Sequence, residues 1–414
     1  MSIPFVLYLS IIAIEYTGAA WHYLPFLRVI PIIPVVVILL TIYYLFTGGI
    51  KWFLSDRIIK ILLFFIFLSF IAIFHGFLSV KAYEAFETEV GYFLLLILTA
   101  YSINSFHRLK IFAICYVLTH VFLVFVNLDS ITSTAREGAF KAGYFLGDGN
   151  DFAWSLNVAL PFAILLIYEY KSRIYKGLLW IVFALIIIFG IVGTQSRGAT
   201  LALASSLLFM WIYIVKRKSI GVIMIFIAGI GALAFAPETY TTRMSTLTHY
   251  EEDSSAMGRI YAWKAATRMA LDHPVLGVGA GSFNSMYGRF YRPEHASARW
   301  ISTHSVYFKI LAEYSFIGLF TFLLMLYFIY KKNKETATYL KENGYNSTIP
   351  NYTPLLINMS LIGYSVSGMF LGGIDYPHIY ILIGITMALA RIIDKEKSLN
   401  NSIDYKRSVP IGTV

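Results

Sequence analysis

Long apolar runs alternate with short polar connections over most of the 414 residues of the chain. Runs of roughly 17 to 25 apolar residues are long enough to cross a bilayer as helices. The pattern predicts an all-α polytopic membrane protein with about twelve transmembrane helices. The predicted spans cover approximately residues 3–23, 29–46, 58–78, 90–103, 109–127, 152–170, 177–193, 199–215, 219–236, 305–330, 353–373 and 377–391.

The composition indicates that lipid is the main solvent of the chain. Of its residues, 58% are hydrophobic and only 14% are charged, whereas soluble domains contain about 25% charged residues. The N-terminal apolar run has no basic stretch before it, so we expect this first span to be retained rather than cleaved. Cys115 is the only cysteine and lies in the fifth predicted span. Disulfides within the chain and cysteine-rich zinc sites are therefore excluded.

The net charge of +10 follows a topology pattern rather than that of a nucleic-acid-binding protein. If the N-terminus is cytoplasmic, most of the Lys and Arg residues fall in cytoplasmic loops and in the C-terminal tail, as the positive-inside rule describes. The short outer loops hold only Arg28, Lys81, Arg136, Lys141 and Arg197. We therefore expect a bilayer, and no nucleic acid, as the partner of the basic residues.

One long insertion interrupts the single membrane domain. Residues 1–236 carry the first nine predicted helices, 237–303 form a large outer loop with an amphipathic helix, and 304–393 carry the last three helices. Residues 394–414 are polar, and we expect a disordered cytoplasmic tail there. The basic residues of the large loop are Arg243, Arg259, Lys264, Arg268, Arg289, Arg292 and Arg299.

A secondary transporter is the alternative that twelve spans suggest. In the commonest arrangement two six-helix halves meet at a long cytoplasmic loop, but here that connection is the short "YKSRIYK". Charges deep in the spans are few, and Glu15, Lys309 and Glu313 are the clearest. Lys309 and Glu313 are four residues apart on one helix and are spaced to neutralise each other. The polar chemistry is concentrated on the outer face, which favours an enzyme acting on a lipid-linked substrate.

Arg197 lies in a polar turn, "GTQSRGAT", between two strongly apolar runs. The structural interpretation is that this arginine snorkels or caps the end of the preceding helix. Gly193, Ser196 and Gly198 favour a functional one, because small residues around an arginine at a helix N-terminus form a cradle for an anion.

The large loop contains a predicted helix over 255–272, with Ser255 as N-cap and Pro274 as stop. At 100° per residue, Arg259 shares a face with Trp263 and two alanines. Lys264, Arg268 and Asp272 share another face, where Arg268 can pair with Asp272 and interact with water. Arg259 lies in the first helical turn, where anions are favoured. Arg259 is therefore our candidate for function among the basic residues of the loop.

Three further motifs allow a structural and a functional interpretation. "GVGAGS" (277–282) follows a helix stop rather than a strand, so we interpret it as a tight turn and not a nucleotide site. His304 lies at the outer mouth of span ten, where histidine is commonly an interfacial residue but can also act as a base near neutral pH. "GDGND" (147–151) is more typical of an N-cap than of a metal site, because the spacing completes no EF-hand loop. We therefore expect no metal and no cofactor.

Together these motifs resemble the bacterial O-antigen ligase/polymerase family. "TQSRGA", then "GRIYAWKAATRMALDHPVLGVGAGSF", then "THSVYFKILAEYSFIGL" follow the order and spacing of that family's signature. "GNDFAWSLNVALPF" is similar to the segment that opens a middle helix in these proteins, and "YEEDSSAMGRIYAW" looks most like the O-glycosylation ligase branch. The motifs span roughly residues 147 to 320, and it is their order that makes them specific.

The resemblance implies a membrane glycosyltransferase C-like fold in the bacterial inner membrane, with the active site on the periplasmic side. It implies en bloc transfer of a glycan from undecaprenyl diphosphate to an acceptor hydroxyl on a glycan, lipid or protein, with inversion and without metal. It assigns the family's two arginines to Arg197 and Arg259 and its histidine to His304. Ser196, Trp263 and Asn150 are our further candidates for substrate contact. Thr303 and Ser305 flank His304 where many ligases have a second histidine or an asparagine, which weakens the case for lipid A core as the acceptor. The sequence leaves a ligase and a polymerase both open, and we favour the ligase.

Overall fold

The computed structural model describes residues 2–29, 31–132, 140–219, 254–294, 296, 300–345, 347–373 and 375–408. Within these ranges the regular structure is helical, and no residue is in a strand. The α-helices, numbered in chain order, are α1 (Ile3–Thr17), α2 (Ala19–His22), α3 (Phe26–Val29), α4 (Ile32–Gly48), α5 (Ile50–Ser55), α6 (Arg57–His75), α7 (Ser79–Ser102), α8 (Phe106–Val126), α9 (Leu128–Thr132), α10 (Gly149–Tyr170), α11 (Ile174–Gly193), α12 (Arg197–Tyr213), α13 (Ser254–Asp272), α14 (Phe283–Met286), α15 (Val306–Glu342), α16 (Thr348–Gly368) and α17 (Pro377–Ser408).

Six of the described helices are long and apolar enough to cross a membrane, and the protein is a multi-pass helical membrane protein. They are α6, α8, α10, α11, α15 and the first part of α17 (Pro377–Lys397). Three apolar helices are shorter, namely α1, α4 and α12. Helices suit this role because each satisfies its own backbone hydrogen bonds, which lipid cannot do.

The predicted spans correspond to helices, except for the ninth, most of which lies outside the described residues. The count of twelve stays a prediction, because several of these helices are short or polar. Gly18 interrupts the first span with a left-handed backbone (φ 60°) that separates α1 from α2. The helix at the fourth predicted span is longer than that span, since α7 begins at Ser79 and carries charged residues in its first half. The division of the chain into segments, with 237–303 as a periplasmic loop, likewise stays a prediction.

The last helix corrects our expectation of a disordered tail over residues 394–408, while 409–414 lie outside the described residues. α17 continues to Ser408, and the sequence contains no glycine or proline between Gly384 and Pro410 to stop a helix. Residues near the start of the expected tail also contact the bundle. Trp52 donates a hydrogen bond from Nε1 to Asp394 Oδ2 (3.0 Å), and the Lys397 ammonium lies over the Tyr339 ring.

Two separate apolar cores hold the described helices together. The larger core joins the membrane helices, and the buried Trp154 of α10 is among its largest side chains. The smaller core lies under α13 and includes Ala262, Ala266 and Met269, which pack on Ala312 of α15. Small residues on one face let α13 approach α15 closely. The smaller core therefore fixes the large-loop helix against the helix that follows His304.

Lys309 on α15 has a closer partner than the one that its own helix offers. Its ammonium forms an ion pair with Asp375 Oδ2 at 2.7 Å, in the connection between α16 and α17, while its attraction to the Glu313 carboxylate persists without a described ion pair. The Glu313 carboxylate instead accepts the backbone N–H of Phe283 (3.2 Å). The tertiary structure is the reason, because it brings the Asp375 carboxylate closer to the Lys309 ammonium than the Glu313 carboxylate on the same helix.

Candidate active site

The polar turn between α11 and α12 is tightly packed. Gln195 takes a left-handed backbone (φ 55°), and its N–H donates to the Val192 carbonyl (2.9 Å). Ser196 caps α12, its side-chain oxygen accepting the N–H of Ala199 (3.3 Å). Arg197 is the first residue of α12 and is partly buried. A guanidinium at a helix N-terminus, where the helix dipole is also positive, is a favourable place for an anion.

The connection between α16 and α17 joins this turn to His304. Gly198 packs against Phe370 so closely that a Cβ on the glycine would lie 2.7 Å from Phe370 Cβ. Two residues further along the same connection, a Cβ on Gly372 would lie 3.6 Å from the backbone nitrogen of His304. Arg197 and His304 therefore lie on the same side of the bundle, next to one short stretch of chain.

His304 ends the segment that leads into α15 and has an uncommon backbone conformation. Its φ is 44°, in the left-handed region that non-glycine residues rarely adopt. The Thr303 hydroxyl donates to the Ser305 carbonyl (3.0 Å), and both of these neighbours are buried, whereas His304 is only partly buried. Such strain is often found at functional sites. The local structure buries Thr303 and Ser305 and leaves His304 partly exposed between them.

The helix predicted in the large loop is present as α13 and ends at Asp272, as the sequence indicates. It begins at Ser254, one residue before the predicted N-cap. Its faces are divided as the helical phasing predicts: Arg259 is partly buried, and Arg268 is exposed. The predicted pairing of Arg268 with Asp272 is wrong, since no described ion pair joins them. Asp272 instead accepts a hydrogen bond from the Tyr291 hydroxyl (2.7 Å).

The Tyr291 phenol is a weaker acid than usual because of its surroundings. Burial and the hydrogen bond to the Asp272 carboxylate raise its pKa to about 12. The phenol therefore keeps its proton at neutral pH and donates it to Asp272. Asp272 is therefore hydrogen-bonded to Tyr291, whereas the sequence predicts an ion pair with Arg268.

Trp263 fastens α13 beside His304. Its indole Nε1–H donates to the Thr303 carbonyl (2.9 Å), and its ring is stacked on Phe308 with centroids 5.1 Å apart and an interplanar angle of 9°. At the start of the helix, Gly258 packs on Ile301, where a Cβ would lie 3.1 Å from Ile301 Cδ1. The helix that carries Arg259 is therefore held against the segment that carries His304.

The start of α10 forms another wall of this region, and the N-cap interpretation of "GDGND" is confirmed. Asp148 caps α10, its Oδ1 accepting the backbone N–H (2.6 Å) and the side-chain amide (2.7 Å) of Asn150. Asn150 is thus buried against its own cap, while a Cβ on Gly149 would lie 3.7 Å from Thr194 in the Arg197 turn. In the described ranges no group of three or more His, Cys, Asp or Glu residues is placed to hold a metal ion.

Tyr376 is the aromatic residue that closes this wall. Burial is the main cause that raises the pKa of its hydroxyl, and the neighbouring Asp151 carboxylate adds to the effect. The phenol therefore keeps its proton at physiological pH and donates it to the Asp151 carboxylate. Its ring packs beside Trp154, with centroids 5.6 Å apart.

The structure thus brings together the three segments that carry Arg197, Arg259 and His304, although the sequence separates them. Of the further candidates, Trp263 serves as the link between two of these segments, and Ser196 and Asn150 take part in helix caps. The sequence reasoning missed the connection that carries Phe370 and Gly372. The only local signal for it was the Gly372–Gly373 pair, which is typical of a tight turn.

Two guanidinium groups and an imidazole are side chains of the types that can bind an anion and accept a proton, and here they belong to neighbouring segments of a helical membrane protein. Residues 181–323 match the model of the O-antigen ligase family, which comprises glycosyltransferase-like enzymes. The matched range contains all three of these residues, so the resemblance seen in the motifs is confirmed over this part of the chain. No curated protein matches the chain.

Proposed function

We propose that this protein is a glycosyltransferase that moves a glycan en bloc from undecaprenyl diphosphate to an acceptor hydroxyl. The reaction takes place at the periplasmic face of the bacterial inner membrane. Arg197 and Arg259 hold the diphosphate of the donor, and His304 removes the proton of the acceptor hydroxyl. The observation that carries the proposal is that the Arg197 turn and the His304 segment both contact the connection between α16 and α17, while the first turns of α13 pack on the His304 segment.

The residue types suit this chemistry. When the anomeric C–O bond breaks, its electron pair leaves with the lipid diphosphate, whose low basicity makes a general acid unnecessary. The step needs positive charge where the negative charge develops, and a guanidinium provides it as a planar fork that stays protonated. The acceptor hydroxyl loses its proton to one base, for which His304 is suited. A single displacement inverts the anomeric centre and needs no pair of carboxylates.

Metal independence is the first part of the proposal to test. The arginines are assigned the charge that Mg²⁺ carries in other phosphoryl-leaving reactions, so transfer by the purified protein should persist in EDTA. Loss of transfer in chelator, with recovery on adding Mg²⁺ or Mn²⁺, would contradict the arginine-only account. That result would instead assign Asp148 and Asp151 to a metal.

A ligase and a polymerase use the same donor chemistry and differ in the acceptor. We favour a ligase, and deletion of the gene in its host separates the two. Without a ligase, the surface acceptor should carry no glycan and long chains should accumulate on the carrier lipid. Without a polymerase, single repeat units should still appear on the acceptor. Thr303 and Ser305 are buried and bonded to each other, so neither replaces the second histidine or asparagine of many ligases. This argues against lipid A core as the acceptor.

A polysaccharide transporter is the less favoured alternative. The pairing of Lys309 with Asp375 leaves Glu89 and Glu313 as buried acidic residues of the described bundle, and intramembrane acids are common in transporters. Proteoliposomes decide between the two. Movement of a glycan across the bilayer without transfer to an acceptor would support the transporter, and transfer without movement would support the enzyme.

A further inference from the structure

The helix that follows His304 is broken in its first third. Ser315 has φ 57° and ψ −160°, values that no α-helix contains, so α15 consists of an initial piece (306–314) and a longer remainder. Carbonyl groups just before such a break lose the N–H groups that would normally bond them four residues later. In a buried region these carbonyls need other donors.

The glycine-rich stretch 277–282, which we name the glycine segment, supplies these donors. The N–H of Val278 donates to the Ala312 carbonyl (2.9 Å), and the N–H of Gly279 donates to the Glu313 carbonyl (3.1 Å). On its other side the segment meets the turn between α6 and α7, where the Phe77 N–H donates to the Val278 carbonyl (3.1 Å). Backbone hydrogen bonds thus hold the glycine segment between α15 and the turn that joins α6 and α7.

Glycine is required for this fit. Gly277 and Gly279 have φ values of 69° and 90°, and a Cβ on Gly277 would lie 2.5 Å from the Glu313 carbonyl carbon. A Cβ on Gly279 would lie 2.3 Å from Gly76 Cα. Both distances are far too short for non-bonded atoms, so the spacing of the glycines reflects the close approach of two backbones. The predicted tight turn is therefore also a docking segment.

Glu313 accepts two hydrogen bonds from residues 279–283. Its backbone carbonyl accepts the N–H of Gly279, and its side-chain Oε1 accepts the N–H of Phe283 at 3.2 Å. The side chain is only 2% exposed, so it makes this contact inside the protein. A buried carboxylate is costly in an apolar region unless it is hydrogen-bonded. The hydrogen bond that it accepts from the Phe283 N–H therefore points to a role in fixing the segment.

We propose that Glu313 is a positioning residue that sets the place of Arg259 relative to His304. The glycine segment follows α13, which carries Arg259, and Glu313 belongs to the piece of α15 that follows His304. One side chain thus couples α15 to the stretch that follows the far end of α13, and the small core shared by Phe283, Ala312 and α13 connects this restraint to the helix that carries Arg259. The proposal rests on the proposed function for its kinetic consequences, but the coupling itself is a property of the free protein.

Two conservative substitutions separate positioning from charge. Glu313→Gln keeps the side-chain length and an oxygen acceptor but removes the charge, whereas Glu313→Asp keeps the charge and shortens the side chain. A positioning role predicts that the Gln variant transfers glycan at close to the wild-type rate and that the Asp variant loses about tenfold in kcat with little change in donor KM. The opposite order would overturn the proposal, since it would show that Glu313 acts through its charge.

A double variant tests whether the effect passes through Arg259. If Glu313 acts by placing that guanidinium, Glu313→Asp should lower the activity of the Arg259→Ala enzyme by less than twofold. A full tenfold further loss would mean that the two residues act independently, and the positioning role would be rejected. Glu89→Gln is the matched control: Glu89 is another buried glutamate of the bundle, it bonds Tyr314, and no described hydrogen bond joins it to the glycine segment.

Hydrogen exchange of the purified protein without substrate gives a result that does not depend on catalysis. The amides of 277–283 and of the last turns of α13 should exchange at least tenfold faster in Glu313→Asp than in wild type, and at the wild-type rate in Glu313→Gln and Glu89→Gln. Unchanged exchange in Glu313→Asp would reject the coupling. If Glu313→Asp exchanged faster but the wild-type protein transferred no glycan, the coupling would be supported and the proposed function rejected.

Discussion

The two faces of α13 show how one helix can carry similar cations in different roles. Arg259 lies on the face that packs towards α15, near Trp263 and the buried Ala266 and Ala270. Arg268 lies on the opposite face and is exposed. The two arginines are nine residues apart, which is close to half a turn out of phase at 100° per residue. The difference between them comes from what each face contacts.

This comparison shows why basic residues in a membrane-protein loop cannot be ranked by composition. An exposed guanidinium is solvated and screened, and its contacts contribute little to stability or binding. A partly buried guanidinium beside a histidine and a helix N-terminus can be preorganised for an anion. On the inward face of α13 Arg259 is partly buried, and Trp263 on the same face is hydrogen-bonded to the segment that carries His304.

The largest expected effect is that of removing His304, the proposed base. His304→Ala should lower turnover by at least about a thousandfold, within the range that a general base contributes. Donor binding should stay largely intact, because the imidazole acts on the acceptor. Transfer assays and donor-binding titrations on the same purified variant test both statements. Loss of donor binding would make His304 a ligand of the diphosphate instead.

The next effect is that of the inward-facing arginine itself. Arg259→Ala should reduce transfer by about a hundredfold or more, as expected for the loss of one preorganised charge-stabilising donor. Arg259→Lys should recover little of this loss, because an ammonium cannot reproduce the bidentate fork. Transfer rates of correctly folded variants, checked by their elution as monodisperse protein in detergent, measure the effect. Full activity of the lysine variant would show that only the charge matters.

A smaller effect is expected from loosening the attachment of the inward face. Trp263→Phe keeps an aromatic ring for stacking on Phe308 but removes the Nε1–H that donates to the Thr303 carbonyl. Loss of one hydrogen bond costs about 1 kcal/mol, so we expect a transfer rate lower by roughly fivefold to tenfold. A rate as low as that of Arg259→Ala would assign Trp263 a direct contact with substrate.

Much of this comparison could be predicted from local sequence. The end of α13 and its division into two faces follow from periodicity and from Pro274, which stops the helix. The role of Asp148 as a cap follows from a short-range signal as well. Each of these features depends on residues within a few turns of one another.

The features that were missed depend on contacts between distant segments. Lys309 has a carboxylate four residues away in its own helix, yet it pairs with Asp375, which is 66 residues further along the chain. No glycine or proline stands at Ser315 to indicate the break in the helix. The carbonyl groups before the break accept hydrogen bonds from backbone N–H groups of the glycine segment. The spacing of residues within one helix contains no information on which distant groups will pack against it. Neither the Lys309–Asp375 ion pair nor the break at Ser315 could therefore be predicted.

The smallest expected effect is the one that tests the comparison most directly. Arg268→Ala removes an exposed cation whose expected partner, Asp272, accepts the Tyr291 hydroxyl instead. Nothing in the described structure connects this guanidinium to the site, so transfer should stay within about twofold of wild type. The thermal midpoint should also change little, since surface substitutions usually alter stability by less than about 0.5 kcal/mol. Because the variant loses the same charge from the same helix as Arg259→Ala, it controls for any general effect of basic charge on the donor. If Arg268→Ala lost as much activity as Arg259→Ala, long-range attraction by the whole loop, rather than a preorganised inward face, would explain the role of arginine in this protein.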